Sequence, residues 1–111
     1  MDEDELLGTH RQELRRGTVV LACLLALREP GYGYALLKKL EAAGITSDGN
    51  TVYPLLRRLE DRGLLESEWN TDESRPRKFY RATKAGAELA SQLLADVSDL
   101  TASLHSLNGR S

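Results

Sequence analysis

The stretch DGNTVYPLLRRLEDRGLL, Asp48 to Leu65, decides how the rest of the chain is read. At about 100° per residue, Val52, Leu55, Leu56 and Leu59 gather on one side, a face wide enough to pack on other helices. Asn50, Tyr53, Pro54 and Arg57 collect on the opposite side, with Arg58 at its margin. Gly63 stands where a helix C-cap belongs, so the spacing predicts a helix of about a dozen residues, the third along the chain. Proline is free of cost only in a first turn, which leaves two alternatives for Pro54. The helix starts near Asn50 or Thr51, or it starts near Ser47 and bends at Pro54.

The exposed stripe carries amide, phenol and guanidinium groups. In a major groove such groups can bond base edges, while a tyrosine hydroxyl and helix N-terminal amides can bind phosphate oxygens. The plainer reading is a solvated face with Arg57 and Arg58 paired to Glu60 and Asp61, and Asp61 on the same face counts for it. The segment downstream of Gly63 favours DNA contact instead, with Tyr53 and Arg57 foremost and Arg62 solvated.

In that segment LLESEW (Leu64 to Trp69) and KFYRAT (Lys78 to Thr83) alternate as strands do, and NTDESRPR between them has the composition of a loop, so a β-hairpin is expected. Arg75, Arg77 and Lys78 at its tip and return can reach a phosphate backbone without disturbing a core, although Asp72 and Glu73 offset part of their field. Trp69 and Phe79 are expected to anchor the hairpin to the body. Thr83 then caps a helix from Lys84 to about Leu107, ended by Asn108 and Gly109. Along it Ala90, Leu93, Val97, Leu100, Leu104 and Leu107 form a heptad seam. At roughly 36 Å the helix outruns a small core, so its expected partner is a second copy of the chain, with packing on the chain's own first helix as the alternative.

Upstream, residues 5 to 28 read as one or two core helices, interrupted at Gly17. REPGYGY (Arg28 to Tyr34) reads as punctuation before a short second helix that holds Ala35, Leu36, Leu37 and Leu40 and ends at Gly44. The fold class is therefore mainly α with a small β-hairpin, a winged helix-turn-helix plus a long C-terminal dimerisation helix. Residues 1–83 form the winged-helix unit with its N-terminal helix, and 84–111 the dimerisation helix with a short tail.

The whole-chain balance is −2, but the acids of Asp2, Glu3, Asp4 and Glu5 are concentrated at one end and the remainder sums to +2. Arg75, Arg77, Lys78, Arg81 and Lys84 fall in one stretch without an acid, a local basic patch on an acidic chain. The apolar run VVLACLLAL is too short to cross a bilayer, the N-terminus has no secretory pattern, and one cysteine cannot form an internal disulfide. A cytoplasmic protein without membrane contact is expected. Cys23 reads as a buried packing residue, His10 and His105 lack ligand-spaced neighbours, and no phosphate loop occurs. No metal, no cofactor and no enzyme activity are expected.

Three motifs together resemble the PadR family of bacterial transcriptional regulators: GYGYALLKKL, NTVYPLLRRLEDRGLL and RPRKFYRATKAG. The resemblance runs from about Arg16 to the last helix. It implies a winged-helix DNA-binding domain, a homodimer made by the terminal helices on a palindromic operator, and a repressor released by a small-molecule effector. The single short C-terminal helix is similar to that of the small subclass. By position Thr51, Tyr53, Pro54 and Arg57 match the family's recognition helix, and Arg75, Arg77 and Lys78 its wing. Some small members hold planar drugs at the dimer interface against an aromatic residue of the last helix. Lys84 to Leu107 contains no Phe, Tyr or Trp, which directs effector control to another pocket or a different signal. The competing reading is a winged-helix protein-interaction module that dimerises and binds a protein partner, favoured by the acidic N-terminus and the pI of 5.7.

Overall fold

A computed structural model describes residues 2–45, 47–72 and 74–109. Glu73, and the tail residues Arg110 and Ser111 of the expected second unit, lie outside the described residues. Within them the order is α1 (Glu3–Arg15), α2 (Thr18–Ala26), β1 (Gly31–Tyr32), α3 (Gly33–Ala42), α4 (Gly49–Asp61), β2 (Leu65–Asn70), β3 (Arg77–Ala82) and α5 (Lys84–Leu107).

The core is built around α2. Its sequence TVVLACLLA is apolar all round, and a helix of that kind is stable only when enclosed. Leu21 to Leu24 and Leu27 are buried against Leu36 and Leu40 of α3, the inner face of α4, Leu65, Tyr80 and Ala90. Leu24, Leu27, Leu56 and Leu59 are among the fully buried side chains, each contributing about 1.5–3 kcal/mol on leaving water. The expected break near Gly17 is present, with the Thr18 hydroxyl donating to the Arg15 carbonyl at 2.6 Å. One expectation fails here. Helix α1 buries no residue, and Leu6, Leu7 and Leu14 stand exposed, so only α2 of the first helical region is a core helix.

The punctuation before α3 also holds more than a turn. Gly31 and Tyr32 extend as β1 and pair antiparallel with Tyr80 and Phe79 of β3, giving a sheet ordered β1-β3-β2. Two residues are too few for alternation to be visible in a sequence.

Helix α4 begins at Gly49, capped by Asp48, whose Oδ1 accepts from the Thr51 N–H at 3.0 Å. Pro54 is thus beyond the first turn, in a helix that starts between the two expected positions. The donor it lacks would have met the Asn50 carbonyl on the exposed side, where water can substitute. At the far end Gly63 adopts φ 76°, its N–H bonding Glu60 and that of Leu64 bonding Leu59, a six-to-one closure that only a residue tolerant of the left-handed region allows cheaply.

Each hairpin strand is displaced by one residue from its expected span, and the two pair with Leu65 opposite Ala82 and Asn70 opposite Arg77. Trp69 does not anchor the hairpin. Glu60 at the end of α4 reaches Ser67 and Lys78, while Trp69, next outward on β2, is left 63% exposed. The anchoring aromatic is Tyr80, buried in the core, and Phe79 meets Tyr32 edge-on with centroids 6.0 Å apart.

Thr83 ties the wing to α5: its hydroxyl accepts from the Gly86 N–H at 3.1 Å and donates to the Gly63 carbonyl at 2.7 Å. Gly86 is required by proximity, since a Cβ there would lie 2.1 Å from the Leu64 carbonyl oxygen. Ala90, expected in the exposed seam, is instead fully buried in the chain's own core. The pattern continues unbroken through that point because one face of α5 serves α2 first and projects beyond it afterwards. Leu93 packs against the core, and Val97, Leu100, Leu104 and Leu107 are exposed, the last to 85%.

Candidate nucleic-acid interface

Tyr53 is positioned by two glycines. A Cβ on Gly33 would lie 2.4 Å from its Cε1, and one on Gly49 2.8 Å from its Cε2, so the ring sits in a slot between the first residues of α3 and α4. In sequence Gly33 reads as a turn residue and Gly49 carries no evident role. The one signal that points to them is that each opens a helix within a few residues of a turn, where backbones converge.

The slot opens into a cleft of about 320 Å³ lined by Tyr32, Gly33, Tyr34, Tyr53, Tyr80, Arg75, Arg77 and Lys78. All four tyrosines of the chain therefore face one concavity, together with the three cations expected at the wing. Tyr32, Tyr34 and Tyr80 join it without any signal in their spacing. The guanidinium of Arg77 lies 5.4 Å from the Tyr32 ring centroid and the Lys78 Nζ 5.4 Å from that of Tyr80. Such contacts hold cations over rings, at about 0.5–1 kcal/mol each where solvent reaches them, while leaving N–H donors able to turn outward. Asn70 Nδ2 donates to the Tyr32 hydroxyl at 2.8 Å and braces β1 to the wing.

Asn50, Pro54 and Arg57 are exposed along the outward edge of α4 beside this cleft, and Arg57 has no ion pair among the described residues. Of the two carboxylates that could pair with it along the helix, Glu60 is engaged with Lys78 at 3.5 Å and with Ser67, and Asp61 forms no ion pair with it among the described residues. The basic run 75–84 does not act as one patch. Arg81 donates through Nε to Glu66 at 2.9 Å on the opposite sheet face from Lys78, and Lys84 opens α5.

Thr51 and Arg58 belong to a different surface. They line a groove of about 750 Å³ between α4 and α1, floored by Val19, Val20 and Leu55 and rimmed by Arg11, Arg15 and Arg16. Arg16 is paired with Glu13 at 3.1 Å; Arg11, Arg15 and Arg58 have no ion pair among the described residues. Sequence spacing gives the α1 arginines no such place, because their helix carries leucines at core spacing and a core helix has no cationic edge to offer.

Cys23 is enclosed within α2, and burial pushes its thiol up to about 11, which disfavours the thiolate. Among the described residues no group of His, Cys, Asp and Glu could hold a metal, and no helix is long and apolar enough to cross a membrane.

A helix-turn-helix formed by α3 and α4, followed by a hairpin whose cations share a concavity with the second helix, defines the winged-helix class. The chain belongs to the PadR-like family of transcriptional regulators, whose profile matches residues 20–92. It is similar to a PadR family regulator from Eggerthella lenta, with 46% identity, a TM-score of 0.89, and 94% of this chain and 93% of that chain covered. A PadR-like transcription factor from Bacteroides fragilis is 30% identical with a TM-score of 0.74, over 89% of this chain and 98% of that one. A transcriptional regulator of Mycobacterium tuberculosis is 44% identical over 55 residues, 50% of this chain; the chain spans about half the length of that curated relative, 51%. The fold is shared with Bacillus subtilis PadR, solved in complex with operator DNA, at 21% identity and a TM-score of 0.63 over 68% of this chain and 46% of that one.

Proposed function

We propose that the chain is a dimeric, operator-binding repressor of the cytoplasm whose hold on DNA is released by a small molecule or other signal. The observation that carries the reading is the cleft, where Tyr53 in its glycine slot and the wing cations Arg75, Arg77 and Lys78 meet beside Arg57, which has no ion pair among the described residues. Asn50 and Arg57 supply the amide and guanidinium that read base edges; Tyr53 and the wing supply phosphate contacts that fix register. Pro54 shapes the helix entry. The operator-bound state of the Bacillus subtilis relative supports the same use of the shared fold.

Dimerisation is supported by apolar area without a cover. Val97, Leu100, Leu104 and Leu107 project from the body, and no Lys or Arg falls between residues 85 and 109, whereas Glu88, Asp96 and Asp99 do. An acidic, apolar-seamed helix complements a groove with an apolar floor and an arginine rim, so the partner's α5 fits against α1 and the flank of α4 that carries Thr51 and Arg58. A two-fold pair presents two recognition helices to a palindrome.

The test is binding to a labelled duplex taken from the DNA immediately upstream of the gene, in competition with a scrambled duplex. Preference for the upstream duplex that is lost in Tyr53→Ala combined with Arg57→Ala is expected. Equal affinity for both duplexes, or preference surviving the double substitution, would overturn the reading.

A further inference from the structure

Trp69 is the chain's single tryptophan, and the hairpin leaves it 63% exposed. Lone apolar residues at a surface are common, so exposure alone carries nothing. Two further observations do. Alternate residues of a strand share a face, which places Trp69 with Ser67 on β2 and with Lys78 and Tyr80 on β3, the face turned toward α4. Lys78 and Tyr80 line the cleft, and Trp69 is the direct cross-strand neighbour of Lys78, while the carboxylates Glu66 and Glu68 lie on the other face. The second observation is chemical. The indole N–H has no hydrogen-bond partner among the described residues, so the donor is available.

We propose that Trp69 is a DNA-contacting residue of the wing: its ring lies along the deoxyribose of the strand that Arg75 and Lys78 approach, and its indole N–H donates to a phosphate oxygen. The inference rests on the DNA-binding reading above. An amphipathic ring suits a sugar-phosphate edge, which offers apolar CH groups and anionic acceptors side by side. Because neither contact involves a base edge, Trp69 adds affinity and wing placement without sequence preference.

Having one tryptophan makes the test direct. The protein is titrated with the fluorescein-labelled upstream duplex while duplex anisotropy and intrinsic tryptophan emission are read together, with acrylamide quenching at each end point. Emission is expected to change over the same concentration range as anisotropy, and acrylamide access to fall severalfold. Trp69→Ala is expected to weaken binding about tenfold, the loss of a hydrogen bond to a charged acceptor, equally for upstream and scrambled duplexes. Trp69→Phe, which keeps a ring and loses the donor, falls between. Anisotropy that rises while emission and quenching stay unchanged overturns this inference and leaves the DNA-binding reading standing; absence of binding to any duplex overturns both. An unfolding temperature lowered by several degrees in Trp69→Ala, with duplex affinity retained, would make Trp69 an anchor of the hairpin and also overturn the inference.

Discussion

Tyr53 shows how two missing side chains can position a third. Its ring edges occupy the space where the Cβ atoms of Gly33 and Gly49 would be, so substitution there acts on the interface rather than on the core. Gly33→Ala is expected to weaken duplex binding severalfold by displacing the ring, with a smaller effect on unfolding temperature, as measured by anisotropy and circular dichroism on the same variant. Gly86 is the contrasting case, because its neighbour is the Leu64 carbonyl rather than a movable side chain. Gly86→Ala must push α5 off the hairpin, an overpacking cost of about 1–3 kcal/mol, and is expected to lower the melting temperature by roughly 5–15 °C. Cys23 yields a pH prediction with a definite sign. The buried thiol is raised from 9.0 to about 11, so folding favours the protonated form and this contribution is complete below pH 9, then lost as pH rises toward 11. At pH 8 a disulfide reagent should therefore label native protein only as fast as it unfolds, and label urea-unfolded protein at once.

At the scale of elements, α5 and α1 are legible in the sequence as helices but not in their allegiances. The heptad pattern from Ala90 to Leu107 is continuous, yet Ala90 is buried by α2 while Leu100 and Leu104 are exposed, because one apolar face meets two different surfaces along its length. Leu100→Glu with Leu104→Glu is expected to give a monomeric mass by light scattering with the helical signal retained, whereas substitutions at Ala90 would unfold the body. In α1 the apolar side, Leu7 and Leu14, and the arginine side, Arg11 and Arg15, differ by about a quarter turn, so one short helix can meet a partner on one face and border the α4 groove on another. Helix α4 is far more legible: its inner leucines, its Gly63 exit and its outward Asn50, Tyr53, Pro54 and Arg57 are where periodicity puts them. Only the division of its two flanks, Tyr53 toward the wing and Thr51 with Arg58 toward α1, depends on neighbours that sequence spacing cannot place.

For the whole molecule, charge distribution governs more than net charge. Three of the acids of α1, Glu3, Asp4 and Glu5, fall in its first turn while Glu13 near its other end pairs with Arg16, and among the described residues Lys78 and Arg81 pair with Glu60 and Glu66. The net positive charge that the wing presents is accordingly smaller than the run of five basic residues suggests. Lowering ionic strength should strengthen duplex binding, and Arg75→Ala should reduce the slope of log affinity against log salt by about one, measured by anisotropy across a salt series.

Local regularities settled a large part of this chain: the helical periods, the caps at Asp48 and Thr83, the left-handed exit at Gly63 and the loop between β2 and β3 depend on residues within a turn or two of one another, and such information is written along the sequence. Long-range proximity settled the rest. That Gly31 and Tyr32 form a strand, that Tyr53 fits between Gly33 and Gly49, that Trp69 is uncovered and that Ala90 is enclosed are consequences of which surfaces meet after the chain has folded, and burial at any position is a property of its neighbours in space.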